Sequence, residues 1–461
     1  MAQRSKIRSL EQLRVQVQMK PGLPFSELLP LEQIEAVLNQ LGTIFRERIF
    51  SPVVTLWTFL SQVLSADHSC REAVARLLAW RTAQGLKPCS SDTSSYCEAR
   101  QRLPLELLQT LVRETGQLAS AATDETWLWK GRHVKVVDGT TLTMPDSPAN
   151  RQTFPRSRQK GRPVGFPLVR LVVLFSLAWA TALDLALGST RGKHTGETTL
   201  FRSLWDSLDP GDILLGDRLF DAYRHVAGLK QRGVDVVLRM NGSRHYDFRR
   251  GRRLAVSDHV VVWKRPPFNP RRFDRPGHEA LPAQLEVREL RYRVGTPGFR
   301  SQEVIVVTTL CDPVAYPKDD LADLYWQRWH AELDLNALKT TLQMEHLRCQ
   351  SPEQVEKEIW AHLLAYNLLR RVLAEAARVH ATLPRQLSFK AALQTVNAFA
   401  PYLAQATGPA APLWGTLLEA LARHRVGDRP GRIEPRKLKH RAGKYPYLTR
   451  SRDQERARCS A

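Results

Sequence analysis

The sequence predicts a multidomain α/β protein: an all-helical N-terminal domain, a mixed-sheet core carrying a β-rich insertion, and a helical, basic C-terminal region. Three observations lead there. Apolar residues recur at helical spacing from the start to about Trp127. The period then changes to that of strands alternating with helices, and beyond Lys318 it returns to helix. The predicted boundaries are 1–127 for the helical N-terminal domain, 128–345 for the core with an insertion at 241–300, 346–422 for the helical C-terminal region and 423–461 for a basic tail.

Each element has its own signal. In the first domain "LEQIEAVLNQLG" stops on a glycine, "VVTLWTFLSQVL" is strongly apolar, and "DTSSYCEARQRL" opens on an Asp cap and stops before Pro104. With "SCREAVARLLAWR" it resembles a helix-turn-helix with Ser94, Tyr96, Arg100 and Arg102 exposed on its second helix, although "TAQGLKPCSS" is a long connection for that motif. In the core, "RHVKVVDGTTLTM", "LVRLVVLFSLA" and "WATALDLALG" read as three antiparallel strands. Helix 196–208, strand 212–220, a further helix and strand 234–240 follow, giving the alternation of a mixed sheet. The insertion is basic: from Arg244 to Pro276 ten Lys and Arg, Arg271 and Arg272 among them, meet only Asp247, Asp258 and Asp274. Short β-runs such as "HVVVWK" make it a folded segment rather than a linker.

Charge narrows the partner. Lys and Arg number 68 against 46 Asp and Glu in 461 residues, a net charge of +22. That excess, spread along the chain, suits an extended polyanion, most simply nucleic acid. The last segment, Arg423 to Arg458, carries thirteen Lys and Arg against four acids and reads as a tail lying on phosphates. Six cysteines show no C-x-x-C pair and no zinc spacing, as expected of reduced thiols in the cytoplasm. The N-terminal "MAQRSKIRSLEQLRVQVQ" has no apolar signal-peptide core. The most apolar stretch has only thirteen residues, Leu171 to Leu183, between Arg170 and Asp184, too few to span a bilayer. No membrane partner is expected.

Chemistry concentrates in three acids and one stripe. Asp138 ends an apolar strand in "VKVVDGTTL" and Asp217 ends a later one in "DILLGDRLF", positions from which side chains reach a ligand. The plainer reading of Asp138-Gly139 is a hairpin turn. "DLYWQRWHAELDLNALKTTL" spaces Tyr325, Arg328, Glu332 and Lys339 by three, four and seven residues, which keeps them on one face of a continuous α-helix. Leu324, Trp326, Trp329, Leu333, Leu335, Leu338 and Leu342 occupy most other sides, as on a helix largely buried. The plainer reading here is an Arg328–Glu332 ion pair worth a few tenths of a kcal/mol. Three carboxylates suit Mg²⁺, a hard ion that prefers oxygen ligands.

The order of Asp138, Asp217 and Glu332, with "DGTT", "GDRLF" and the Tyr325, Arg328, Glu332, Lys339 spacing, resembles the DDE transposases of the insertion-sequence-four family. "VTLWTFLSQVLSADHSC", "EKEIWAHLLAYNLLR" and "IEPRKLKHRAGKYPYLTR" extend the resemblance over most of the chain. It implies an RNase H-like catalytic core and cut-and-paste transposition by a homodimer holding two element ends. Two Mg²⁺ ions, replaceable by Mn²⁺, would be held by Asp138, Asp217 and Glu332. Tyr325, Arg328 and Lys339 would contact DNA phosphates; Arg100 and Arg102, apart from the resemblance, are DNA-binding candidates from the helix-turn-helix-like segment. Trp263, the one Trp of the insertion, is the candidate for stacking on a flipped base, against a plain core role. The competing readings are a DNA-binding repressor or architectural protein of the same descent that has lost catalysis, and an RNase H-like nuclease.

Overall fold

Ser51 and Ser69 cap their helices with side-chain oxygens, and Pro52 opens one of them, whereas the expected Asp92 cap sits one residue early: Thr93 holds the N-cap position without a side-chain bond and Asp92 Oδ1 accepts the Ser94 amide. A computed structural model describes residues 28–43, 45, 48–159, 162–192, 195–269, 275–294, 302–405, 411–426 and 452–459. Arg271, Arg272 and Asp274 of the insertion, and most of the basic tail, lie outside the described residues. The first helices are α1 (Leu31–Gln40), α2 (Pro52–Leu64), α3 (Cys70–Ala83), α4 (Ser94–Arg102) and α5 (Leu105–Ala121).

The sheet begins with β1 (Val134–Thr143), followed by the short helix α6 (Pro148–Thr153), β2 (Arg156–Gln159), β3 (Arg162–Ser176) and β4 (Ala182–Ser189). Then come α7 (Glu197–Arg202), β5 (Ile213–Gly216), α8 (Tyr223–Gln231) and β6 (Asp235–Arg239). The insertion supplies β7 (Arg252–Ala255), β8 (Asp258–Lys264), α9 (Arg275–Glu279) and β9 (Gln284–Val294), and β10 (Gln302–Thr308) returns to the core. The expected helix 196–208 is shorter, finishing as a 3₁₀ turn at Trp205–Ser207, and strand 212–220 stops at Gly216.

One sheet of ten strands results, in the order β2-β3-β1-β5-β6-β10-β9-β8-β7 with β4 on β3. β1, β5 and β6 run parallel, and β3 and β10 flank them antiparallel. The chain is therefore mixed α/β. The insertion's strands extend this same sheet, β9 pairing with β10. Their arginines are not all surface groups: Arg288 is 1% exposed, donating to Asp258 and to the Tyr316 carbonyl.

Two compact units divide the chain. One draws its described residues from Met1–Thr123, Ala178–Leu183 and Leu335–Val426, the other from Asp124–Leu177, Asp184–Asp334 and Gly427–Ala461. The expected helical regions 1–127 and 346–422 thus contribute to a single unit. Its centre is the long helix α12 (Pro352–Val379), with α13 (Phe389–Gln405) and α14 (Ala411–Arg423) following; α12 is buried along most of its length, with Trp360, Tyr366 and Asn367 each 1% exposed or less. No helix among the described residues is long and apolar enough to cross a membrane.

The predicted stripe helix is three segments. α10 (Lys318–Trp326) ends in a turn at Gln327 and Arg328, α11 (Trp329–Asn336) follows, and Ala337–Thr341 is a π-helical turn. Around the first break the amides of Arg328, His330 and Ala331 bond the carbonyls three residues back, the tighter 3₁₀ pattern. The second break loosens, with the Leu342 amide reaching Ala337. The apolar flank is not buried throughout either: Trp326 is 55% exposed and Trp329 and Leu333 are 46% exposed.

Candidate active site

Asp138 is not in a hairpin turn. β1 runs through it in register with β3, Asp138 opposite Val173 and Gly139 opposite Val172. A Cβ at Gly139 would meet the Glu197 carboxyl carbon at 2.9 Å, so a side chain there would displace the end of Glu197.

Strand register places the first two acids together. Val136 pairs with Leu215, and Leu215 pairs with Val237. Carried forward by two residues, the same level holds Asp138, Asp217 and Arg239 on β1, just past β5 and at the end of β6. Adjacent strands are about 4.8 Å apart, and registered residues of parallel strands share a face. Asp138 lies midway along β1, which continues to Thr143, and not at the strand end that was expected, while Asp217 follows the last residue of β5 and Arg239 is the last of β6. Asp217 is fixed by its own turn, its Oδ1 accepting the Leu219 amide at 2.8 Å.

The helical segment faces these three residues. Arg328 donates to Glu332 at 2.7 Å, so the ion pair of the plainer reading exists. It is not solitary: Asp138 is held electrostatically by Arg328 and opposed by Asp217 and Glu332. Burial is the largest influence on Asp138 and outweighs its Gly139 amide bond and Arg328, raising its pKa to about 6. Tyr325 is 7% exposed and in hydrogen-bonding contact with Arg328; burial raises its hydroxyl to about 12.

Sequence reasoning missed three groups here. Arg239 acts on both Tyr325 and Tyr292, and its strand-end position in "VDVVLRM" was the available signal. Tyr292, on β9 of the insertion, is raised by burial and its hydroxyl has no hydrogen-bond partner among the described residues. Asp221 lies near Asp217 and is likewise raised by burial. Neither of these last two carried a motif.

The donor chemistry fits a divalent cation, since three carboxylates offer hard oxygens and the half-buried Asp138 is only partly compensated by Arg328. Their present arrangement is looser than a ligand cage: among the described residues no three His, Cys, Asp or Glu side chains are grouped closely enough to hold a metal ion. Glu332 points to Arg328 and would have to exchange that partner for the cation.

The other expected residues have their own surroundings. Lys339 sits in the π-helical turn of the helical unit, 3.9 Å from Glu345. Arg102 is exposed at the end of α4, within 3.4 Å of Glu98. Arg100 corrects the expectation of an exposed DNA contact: it is 6% exposed and lies 4.0 Å over the Phe59 ring. It donates to Cys349 Sγ at 3.1 Å, and Tyr96 beside it is fully buried. The two side chains turn into the helical core because α4 packs that face against α2. Trp263 is 7% exposed, donates to Glu289 at 2.7 Å and is covered by the Arg244 guanidinium at 3.7 Å. A base could stack on that face only after Arg244 moves away.

Comparison with known proteins gives a consistent result. Residues 129–368 match the transposase DDE domain family. Transposase InsG for insertion sequence element IS4, from Escherichia coli strain K12, is 28% identical over 441 residues, covering 92% of this chain and 94% of that protein. The putative transposase InsZ of the same organism is 27% identical over 218 residues, covering 46% of this chain and 68% of its own. A cryo-EM structure of the piggyBac transposase synaptic complex with hairpin DNA aligns over 83% of this chain and 87% of that one at 10% identity, with a TM-score of 0.39 too low to argue from.

Proposed function

This chain belongs to the DDE transposase family and is the transposase of an insertion sequence, and we propose that it cuts and joins DNA with Asp138, Asp217 and Glu332 as its metal-holding acids. The observation that carries this is the electrostatic contact of Asp138, within β1, with Asp217, which directly follows the neighbouring parallel strand β5, and with Glu332 and Arg328. The succession of β4, β3, β1, β5 and β6 in the sheet supports an RNase H-like core.

Mg²⁺, or Mn²⁺ in its place, is the cation those acids suit, as a pair of ions; when bound it activates a water or a 3′-hydroxyl and stabilises the leaving oxygen. The chain's own groups do the rest. Arg328, released from Glu332, offers a fork of donors to a phosphate, and Tyr325 adds a neutral one beside it. Arg239 supplies a second positive charge at the same level. Lys339 and Arg102 are proposed to grip the duplex elsewhere, and Trp263 to stack on a base once Arg244 has left it. Arg100 has no part in this set. The substrate is double-stranded DNA at the element's terminal inverted repeats, held by a homodimer, and the net charge of +22 supports the polyanion.

The test is cleavage of a duplex carrying those repeats in Mg²⁺, by wild type and by Asp138→Ala, Asp217→Ala and Glu332→Ala, with a gel shift on the same samples. Full-rate cutting by any one variant removes that residue from the site. Binding without cutting by the wild type in either metal would instead favour a repressor of the same descent.

A further inference from the structure

The connection that presents Asp217 is only six residues long, 217–222, and near its far end it is tied down by a group that the proposed chemistry does not use. Asp221 is 5% exposed. Its Oδ2 accepts the Asn241 amide at 2.7 Å, and the Arg244 Nε lies 3.8 Å from the same oxygen. Arg244 also donates to the Asp221 carbonyl at 3.4 Å. The segment leaving β6 thus staples the turn that leaves β5.

Arg244 is itself held from the other side. Its guanidinium lies 3.7 Å from the centroid of Trp263, and the Trp263 indole donates to Glu289 at 2.7 Å. Glu289 is 3% exposed and also faces His259 Nε2 at 3.1 Å. A second tie runs in parallel: the Tyr223 hydroxyl, two residues past Asp221, donates to the Pro282 carbonyl at 2.8 Å. A continuous chain of contacts therefore joins the β-rich insertion to the turn bearing Asp217. Burying a carboxylate beside Asp217, a like charge, is unfavourable in itself, which calls for a compensating role.

We propose that Asp221 is a positioning residue for Asp217: with Arg244 it holds the 217–222 connection so that the Asp217 carboxylate stays level with Asp138. The inference rests on the reading of Asp138 and Asp217 as metal-holding acids. Removing a group that orients a ligand lowers metal affinity by about ten- to a hundred-fold, whereas a merely structural group changes melting without changing affinity.

The experiment uses the full-length chain and two readouts. Mn²⁺ alone is titrated and followed by electron paramagnetic resonance, and cleavage of terminal-repeat DNA is measured against Mg²⁺ concentration. Asp221→Ala should weaken Mn²⁺ binding about tenfold or more and raise the half-saturating Mg²⁺ by a similar factor, with DNA affinity unchanged. Asp221→Asn keeps an oxygen for the Asn241 amide and should recover most of that loss. Arg244→Ala should reproduce the defect more weakly, and it answers the question if Asp221→Ala does not fold. Wild-type metal response in folded Asp221→Ala, or in Arg244→Ala where the former does not fold, overturns the inference. So does a loss in Asp221→Asn equal to that in Asp221→Ala. A wild type that neither binds Mn²⁺ nor cuts DNA fails the underlying reading instead, which separates the two.

Discussion

Asp138→Asn should make the protein more stable at neutral pH in the absence of divalent cation. The carboxyl is driven from its ordinary 3.8 to about 6, chiefly by burial. A displacement of one pH unit corresponds to about 1.36 kcal/mol, so the ceiling is about 3 kcal/mol. Partial access to solvent and the imperfect match of an amide reduce this to about 1–2 kcal/mol. At about 1 °C per kcal/mol for a chain of 461 residues, the melting temperature should rise by about 1–2 °C. The sign depends on pH. Below about pH 4 both folded and unfolded chains hold the proton and the variant gains nothing. Between about pH 4 and 6 the folded wild type keeps a proton that the unfolded chain has released, so its stability falls as pH rises. Above about pH 6 the cost is constant, and the gap between variant and wild type is full. Calorimetric melts across that range in a chelator measure the gap, and adding Mg²⁺ should stabilise wild type more than the variant. A variant less stable than wild type at neutral pH, or a gap independent of pH, would refute the burial argument.

The other expectations separate neighbouring residues by assay. Glu332→Gln should be inactive at any Mg²⁺ concentration, while Arg328→Ala should keep residual nicking, because removing one hydrogen bond to a phosphate costs about 1–3 kcal/mol; equal small effects on nicking rate would reduce the pair to a structural salt bridge. Arg100→Ala should lower the melting temperature and leave DNA affinity of the folded protein unchanged, whereas Arg102→Ala should do the reverse, as melts and gel shifts on both variants would report. Deleting Arg423 to Ala461 should make the salt dependence of DNA binding shallower, by a log–log slope of about 0.9 for each phosphate that the shortened chain no longer neutralises; an unchanged slope means the tail does not touch DNA.

What the sequence made legible follows from how local each signal is. The strands around Asp138 and Asp217 were readable because apolar runs with strand spacing are local, although β1 runs on past Asp138 to Thr143 and only Asp217 stands where its strand ends. The mixed character of the sheet was readable from alternation alone. Burial was not. Arg100 and Arg102 are two residues apart on one short helix, and nothing in "EARQR" tells that the first faces Phe59 and Cys349 while the second faces solvent. Cys349 lies 249 residues away in sequence, so the pairing belongs to the tertiary structure alone. Trp263 was similarly ambiguous, since its neighbours Arg244 and Glu289 come from separate parts of the insertion. The merging of the N- and C-terminal helices into one unit had no local signal either, because α12 packs against α5 and α2 through ordinary apolar side chains.

Within the stripe, Tyr325, Arg328 and Glu332 come together through a geometry other than the continuous helix that their spacing suggests. On a regular α-helix three residues advance about 300°, leaving Tyr325 and Arg328 offset by about 60°. The 3₁₀ turn observed between them has about three residues per turn, so side chains at i and i+3 eclipse. That brings Tyr325 into line with Arg328, in keeping with their hydrogen-bonding contact. The α-helical step that follows then sets Glu332 within 2.7 Å of Arg328. The same tightening acts on the residues one position further along: Trp326 and Trp329 also stand at i and i+3, and both indoles are about half exposed, at 55% and 46%. A continuous helix would have spread these four groups over a wider arc. The break at Gln327 therefore sorts two polar groups toward Asp138 and two indoles away from the core, and spacing alone could not distinguish this from the continuous helix it also fits.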